Sequence, residues 1–117
     1  MSYDIYLNDS SGQVIECEIP HHLKGGTYAL NGTTQLWLNI THNYSEHFYR
    51  VFGNKGIRTL YGMIAEDSIP LILAAMDMLD DDVCYDYWAS TEGNAKAALT
   101  NLLEMAKLAP TGIWDGD

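Results

Sequence analysis

Basic side chains are scarce in this chain: six Lys and Arg stand against sixteen Asp and Glu, a net charge of −10. That balance argues against direct binding to nucleic-acid phosphates or to an anionic membrane surface. No apolar run approaches the ~18 residues of a membrane span. Met1-Ser2-Tyr3-Asp4 begins polar, so no secretory leader is expected, and a cytoplasmic location follows. There are only two cysteines, Cys17 and Cys84, and no C-x-x-C pair, which removes a redox dithiol or zinc ribbon. Cys84 comes shortly after Asp80-Asp81-Asp82, a setting that disfavours a thiolate nucleophile, and Cys17 reads as a small hydrophobe in a strand.

Catalytic signatures are missing as well. No G-x-S-x-G elbow, G-x-x-x-x-G-K-[ST] loop, G-x-G-x-x-G turn or H-E-x-x-H helix occurs. Four histidines are present, but His42 and His47 are five apart and do not share a helix face, and His21-His22 follow Pro20 in a loop. A metal centre needs three or four converging ligands. The chain is therefore expected to be non-enzymatic, with no catalytic residue, no metal and no cofactor.

What is present is enough apolar material, 47% of 117 residues, for one self-sufficient domain spanning residues 1–117. Tyr3–Leu7 and Val14–Ile19 alternate as half-buried strands around the Asn8–Gly12 turn, and Pro20 ends the second. Residues 27–30 and 34–40 flank Asn31-Gly32, which suits a tight hairpin turn. The apolar period then changes from two to about 3.6. Tyr44–Phe52 reads as a helix capped by Asn43. A second helix opens at Ser68 with Pro70 in its first turn, and a third runs over about residues 92–108 with Ala95, Leu99, Leu102, Leu103 and Ala106 inward. The expected fold is α+β: a four-stranded antiparallel meander (residues 3–40) followed by about three helices packed on one sheet face.

Charge is divided unequally. Residues 1–59 carry four basic and five acidic side chains, a net of −1; residues 60–117 carry two and eleven, a net of −9. The densest stretch holds Asp77, Asp80, Asp81, Asp82 and Asp86, interleaved with Tyr85, Tyr87 and Trp88. Aromatics supply contact area and carboxylates steer, so these eight residues form the candidate partner-binding segment. A solvated loop whose rings cover the core is the competing structural account. Thr91-Glu92-Gly93-Asn94 reads as a helix cap more than as an anion site.

The motifs Gly25-Gly26-Thr27-Tyr28-Ala29-Leu30, Trp37-Leu38-Asn39-Ile40-Thr41, Gly56-Ile57-Arg58-Thr59-Leu60-Tyr61-Gly62, Thr91-Glu92-Gly93-Asn94-Ala95 and Trp114-Asp115-Gly116-Asp117 resemble a group of small acidic proteins encoded by bacteriophages and mobile elements. The resemblance carries no activity and no site residues. It implies a role such as inhibition of a host defence complex. Small size, the missing catalytic pattern and the acidic aromatic segment add the expectation of an anti-CRISPR-like or nucleic-acid-mimic-like protein, acting in the host cytoplasm on the basic surface of a nucleic-acid-handling or defence protein. Toxin immunity would use the same physics. The alternatives are a small-molecule or nucleotide binder built on Arg50, Lys55 and Arg58 with Tyr28, Trp37 and Tyr61, and a virion-assembly protein, for which a homo-oligomer is expected.

Overall fold

The computed structural model describes residues 1–21 and 33–117. The expected Asn31-Gly32 turn and the strand over residues 27–30, with Tyr28, lie outside the described residues. β1 (Ser2–Asn8) is the middle strand of a three-stranded antiparallel sheet. Its alternation is that of the sequence: Tyr3, Ile5 and Leu7 are buried, while Ser2, Asp4 and Tyr6 face outward and are half-exposed.

The neighbours of β1 are not the expected ones. β2 (Glu16–His21) pairs with β3 (Thr33–Gln35) in a separate two-stranded sheet. β1 lies instead between β4 (Trp37–Thr41) and β5 (Ile113–Gly116). The register sets Tyr3 opposite Ile40, Ile5 opposite Leu38 and Leu7 opposite Trp114. The four-stranded meander is thus corrected, among the described residues, to two antiparallel sheets. The switch happens at Leu7, whose carbonyl accepts from Ile15 N (2.9 Å) while its N–H donates to Leu36 O (3.0 Å). Both backbone groups of Leu7 are spent at the junction, and β2 diverges with β3. β2 also continues through Pro20, in a stretch where the register with β3 shifts between Glu16 and His21; prolines within sheets are confined to edges and such irregularities.

Among the described residues three α-helices complete the α+β architecture: α1 (Ser45–Phe52), α2 (Ala65–Asp77) and α3 (Glu92–Leu108). α1 follows a 3-10 turn, His42–Tyr44, capped by the Thr41 hydroxyl and not by Asn43. α2 begins a turn earlier than expected. No side chain caps it; Ala65 N donates to Gly112 O (2.7 Å) and Glu66 N to Pro110 O (2.9 Å). A passing loop thus satisfies the orphan donors of its first turn. Ser68 is buried inside α2, donates to Ala65 O (2.7 Å) and accepts from the Trp114 indole (2.8 Å). α3 is capped by Thr91 Oγ1, which accepts from Asn94 N (3.0 Å). All five of its expected core residues are buried.

One buried cluster joins the inward sheet residues with Phe48, Ile72, Leu99 and Leu102, and Trp114 at its centre is fully enclosed. Among the described residues no helix is long and apolar enough to cross a membrane.

Candidate functional site

Between α2 and α3 the chain runs from Met78 to Thr91 without helix or strand. Such a segment must find partners for its backbone polar groups elsewhere. It finds them in the first turn of α3. The Asn94 side chain is buried, accepts from Cys84 N (2.9 Å), and donates to Asp86 O (3.0 Å) and Ala89 O (3.0 Å). One carboxamide thereby fixes three points along the loop. Asp82 Oδ1 accepts from Gly93 N (2.9 Å) at the positive end of the helix. Gly93 permits this approach, because a Cβ there would lie 2.4 Å from Val83 N and 2.5 Å from Asp82 C.

Charged side chains tie the rim. Glu92 Oε1 accepts from Arg50 (2.7 Å) and from Asp80 N (3.2 Å). Lys96 Nζ pairs with Asp81 (2.8 Å), and that hydrogen bond raises the lysine pKa, with the Asp77 and Asp80 charges adding to it. Ser90 Oγ donates to Glu46 (2.8 Å) and lies 3.2 Å from His47 Nε2. This trio is not a relay, since Glu46 approaches the same ring nitrogen (3.7 Å) that faces the serine. It tethers the loop to α1.

The candidate residues divide into two groups. Tyr87 is half-buried and structural: its hydroxyl accepts from Thr41 N (2.8 Å) and its carbonyl accepts from the Tyr44 hydroxyl. Burial pushes the Tyr87 hydroxyl up to about 12 and lifts Tyr44 further above the ordinary phenol range, where Tyr87 and Asp86 add to the effect. Edge-to-face contacts run from Phe48 to Tyr44, from Tyr44 to Tyr87 (5.4 Å) and from Tyr87 to Trp88 (5.1 Å). Tyr87 is therefore part of the loop's foundation.

Tyr85 and Trp88 point outward, 102% and 55% exposed, beside Val83 at 66%. Asp77, Asp80, Asp81, Asp82 and Asp86 are all exposed. Asp82 anchors the helix, Asp81 holds Lys96 and Asp86 Oδ1 accepts from Trp88 N (3.0 Å), so of these five only Asp77 and Asp80 make no side-chain hydrogen bond to the described residues, acting on Lys96 by charge alone. Sequence reasoning missed the anchors Gly93, Asn94 and Arg50. The one visible signal was an Asn just after a Thr cap, a polar residue on the inward face of an apolar helix.

Two basic residues of the nucleotide alternative, Arg50 and Arg58, hold different partners. Arg50 is paired with Glu92, whereas Arg58 donates to Asp117 O (2.8 Å) and lies over the Tyr3 ring (4.8 Å). Tyr61 reaches the same Asp117 carbonyl (3.4 Å), while Trp37 bonds Asp4 (3.1 Å) on the outer sheet face. His42 packs on Tyr3 (4.2 Å), away from the Ser90 contact of His47. Among the described residues no three His, Cys, Asp or Glu side chains gather as a metal set. No family model, curated protein or solved structure matches the chain.

Proposed function

We propose that the protein is a non-enzymatic inhibitor that docks its 77–88 loop onto a basic surface of a bacterial nucleic-acid-handling or defence protein, in the manner of a phage-encoded anti-defence protein. One observation carries the reading: an acidic segment without secondary structure is pinned by a buried Asn94, yet leaves Val83, Tyr85 and Trp88 in solvent. A chain that only needed to connect α2 to α3 gains nothing from holding three apolar side chains in water. Pre-ordering lowers the entropy lost on docking. Large aromatic side chains are the usual anchors of protein interfaces, and surrounding carboxylates raise the encounter rate with a cationic patch.

The test starts from a partner captured from bacterial lysate, identified and purified. The double change Asp77→Asn with Asp80→Asn should slow association and flatten its salt dependence without altering the melting curve. Tyr85→Ala should speed dissociation by at least tenfold. Wild-type kinetics for both variants would refute docking through this loop.

A further inference from the structure

The loop and α3 enclose a shallow cleft of about 250 Å³ lined by Tyr44, Val83, Tyr85, Tyr87, Ala97 and Ala98. Pockets for drug-sized ligands run from roughly 300 to 1,000 Å³, so this one accommodates a single large side chain and not a nucleotide. Its lining combines three tyrosines, of which Tyr44 is buried, Tyr87 half-buried and Tyr85 exposed, with short aliphatic groups and the polar Cys84, Asn94 and Asn101. The surroundings are anionic: Asp80, Asp81, Asp82 and Asp86 belong to the same loop, and the neighbouring cation, Lys96, is already bound to Asp81. Asp86 stands between the lining residues Tyr85 and Tyr87 in the chain, and its charge reaches the Tyr44 hydroxyl after the larger effects of burial and Tyr87.

We propose that this cleft receives an arginine side chain of the partner, its stem against Val83, Ala97 and Ala98 and its guanidinium against Tyr87, with the loop carboxylates as counter-charge. The inference rests on the docking reading above and names the group that would dock. A phosphate or carboxylate is repelled here, and a purely apolar side chain gains nothing from the carboxylates. A guanidinium is planar, weakly hydrated and stacks on aromatic faces, which an ammonium does less well.

The experiment titrates isotope-labelled full-length protein with acetyl-arginine methylamide and its uncharged isostere, acetyl-citrulline methylamide, and follows backbone amide signals. Arginine should shift Val83, Ala97 and Ala98 saturably, at least tenfold more tightly than citrulline. Ala97→Leu, at an exposed helix position, should fill the cleft, remove those shifts and leave the melting temperature unchanged. Equal binding of citrulline, absence of cleft shifts or unchanged binding to Ala97→Leu would overturn the proposal. Peptides (Gly-Arg)4 and (Gly-Lys)4 separate it from the broader reading. If both bind equally through residues 77–82 and leave the Val83, Ala97 and Ala98 signals still, the arginine pocket is wrong and docking on a basic surface stands. If neither binds the loop at low salt, both fail.

Discussion

Replacing Gly93 by alanine should destabilise the protein, against the usual sign for a glycine in a helix. An exposed interior helical position gains about 1 kcal/mol from Gly→Ala. Here the added methyl would stand 2.4 Å from Val83 N, 2.5 Å from Asp82 C and 2.8 Å from Asp82 N. Ordinary contacts between non-bonded heavy atoms lie near ~3.5–4 Å, so the loop backbone must retreat by about 1 Å. All three neighbours are main-chain atoms and cannot rotate aside. Retreat stretches four bonds together: Gly93 N to Asp82, Cys84 N to Asn94, and Asn94 to Asp86 O and Ala89 O. At about 1 kcal/mol each, their full loss costs about 4 kcal/mol, and partial relaxation with the propensity gain returns part of it. The expected net loss is ~2–3 kcal/mol. For a domain of this size that lowers the melting temperature by roughly 10 °C. Urea unfolding gives the free energy, and hydrogen exchange at the Cys84 amide reports whether the loop has lifted. A Gly93→Ala protein as stable as wild type, with Cys84 still protected, would refute the account of the loop as pinned.

Asn94→Asp should destabilise more than Asn94→Ala near neutral pH, since it turns a carboxylate toward the Asp86 and Ala89 carbonyls, and acidification should narrow the gap; equal melting curves at pH 7 would contradict this. The aspartates are not equivalent: Asp82→Ala should cost about 1 kcal/mol by removing an acceptor from the α3 N-terminus, whereas Asp80→Asn should leave the urea midpoint unchanged. Ser68→Ala should cost about 1–3 kcal/mol, because the Trp114 indole N–H is left buried without an acceptor, and Ser68→Thr or Cys at the same site offers a comparison for volume. Tyr44, Tyr61 and Tyr87 all have folded phenol pKa values raised above the unfolded value of 10, chiefly by burial. Their contribution to stability is therefore complete below pH 10 and is lost as pH rises through the folded values, about 12 for Tyr87. Phenolate absorbance should accordingly rise together with unfolding on the alkaline side; normal titration of these rings in a still-folded protein would contradict it.

Some of this protein is written in its local sequence. The alternation in residues 3–7 determines which side chains of β1 are buried, and the 3.6-residue stripe with its Thr91 cap determines α3, because side-chain direction follows backbone period whatever the rest of the chain does. The concentration of carboxylates between Asp77 and Asp86 is likewise a property of the chain alone. The tertiary structure decided what those elements meet. β5 is four residues long, too short to show a period, and exists because β1 offers it an edge and the core accepts Trp114. The start of α2 moved one turn back from Ser68 since carbonyls of residues 110 and 112, more than forty positions away, supply the cap that no neighbouring side chain does. The same holds for the candidate site. Tyr85, Tyr87 and Trp88 look alike in sequence, and only the hydrogen bonds of Asn94, Thr41 and Tyr44 turn Tyr87 inward while Tyr85 and Trp88 stay in water. Local pattern fixes the direction of a side chain within its own element; for a segment with no repeating backbone, that direction is set by the distant groups that satisfy its N–H and C=O.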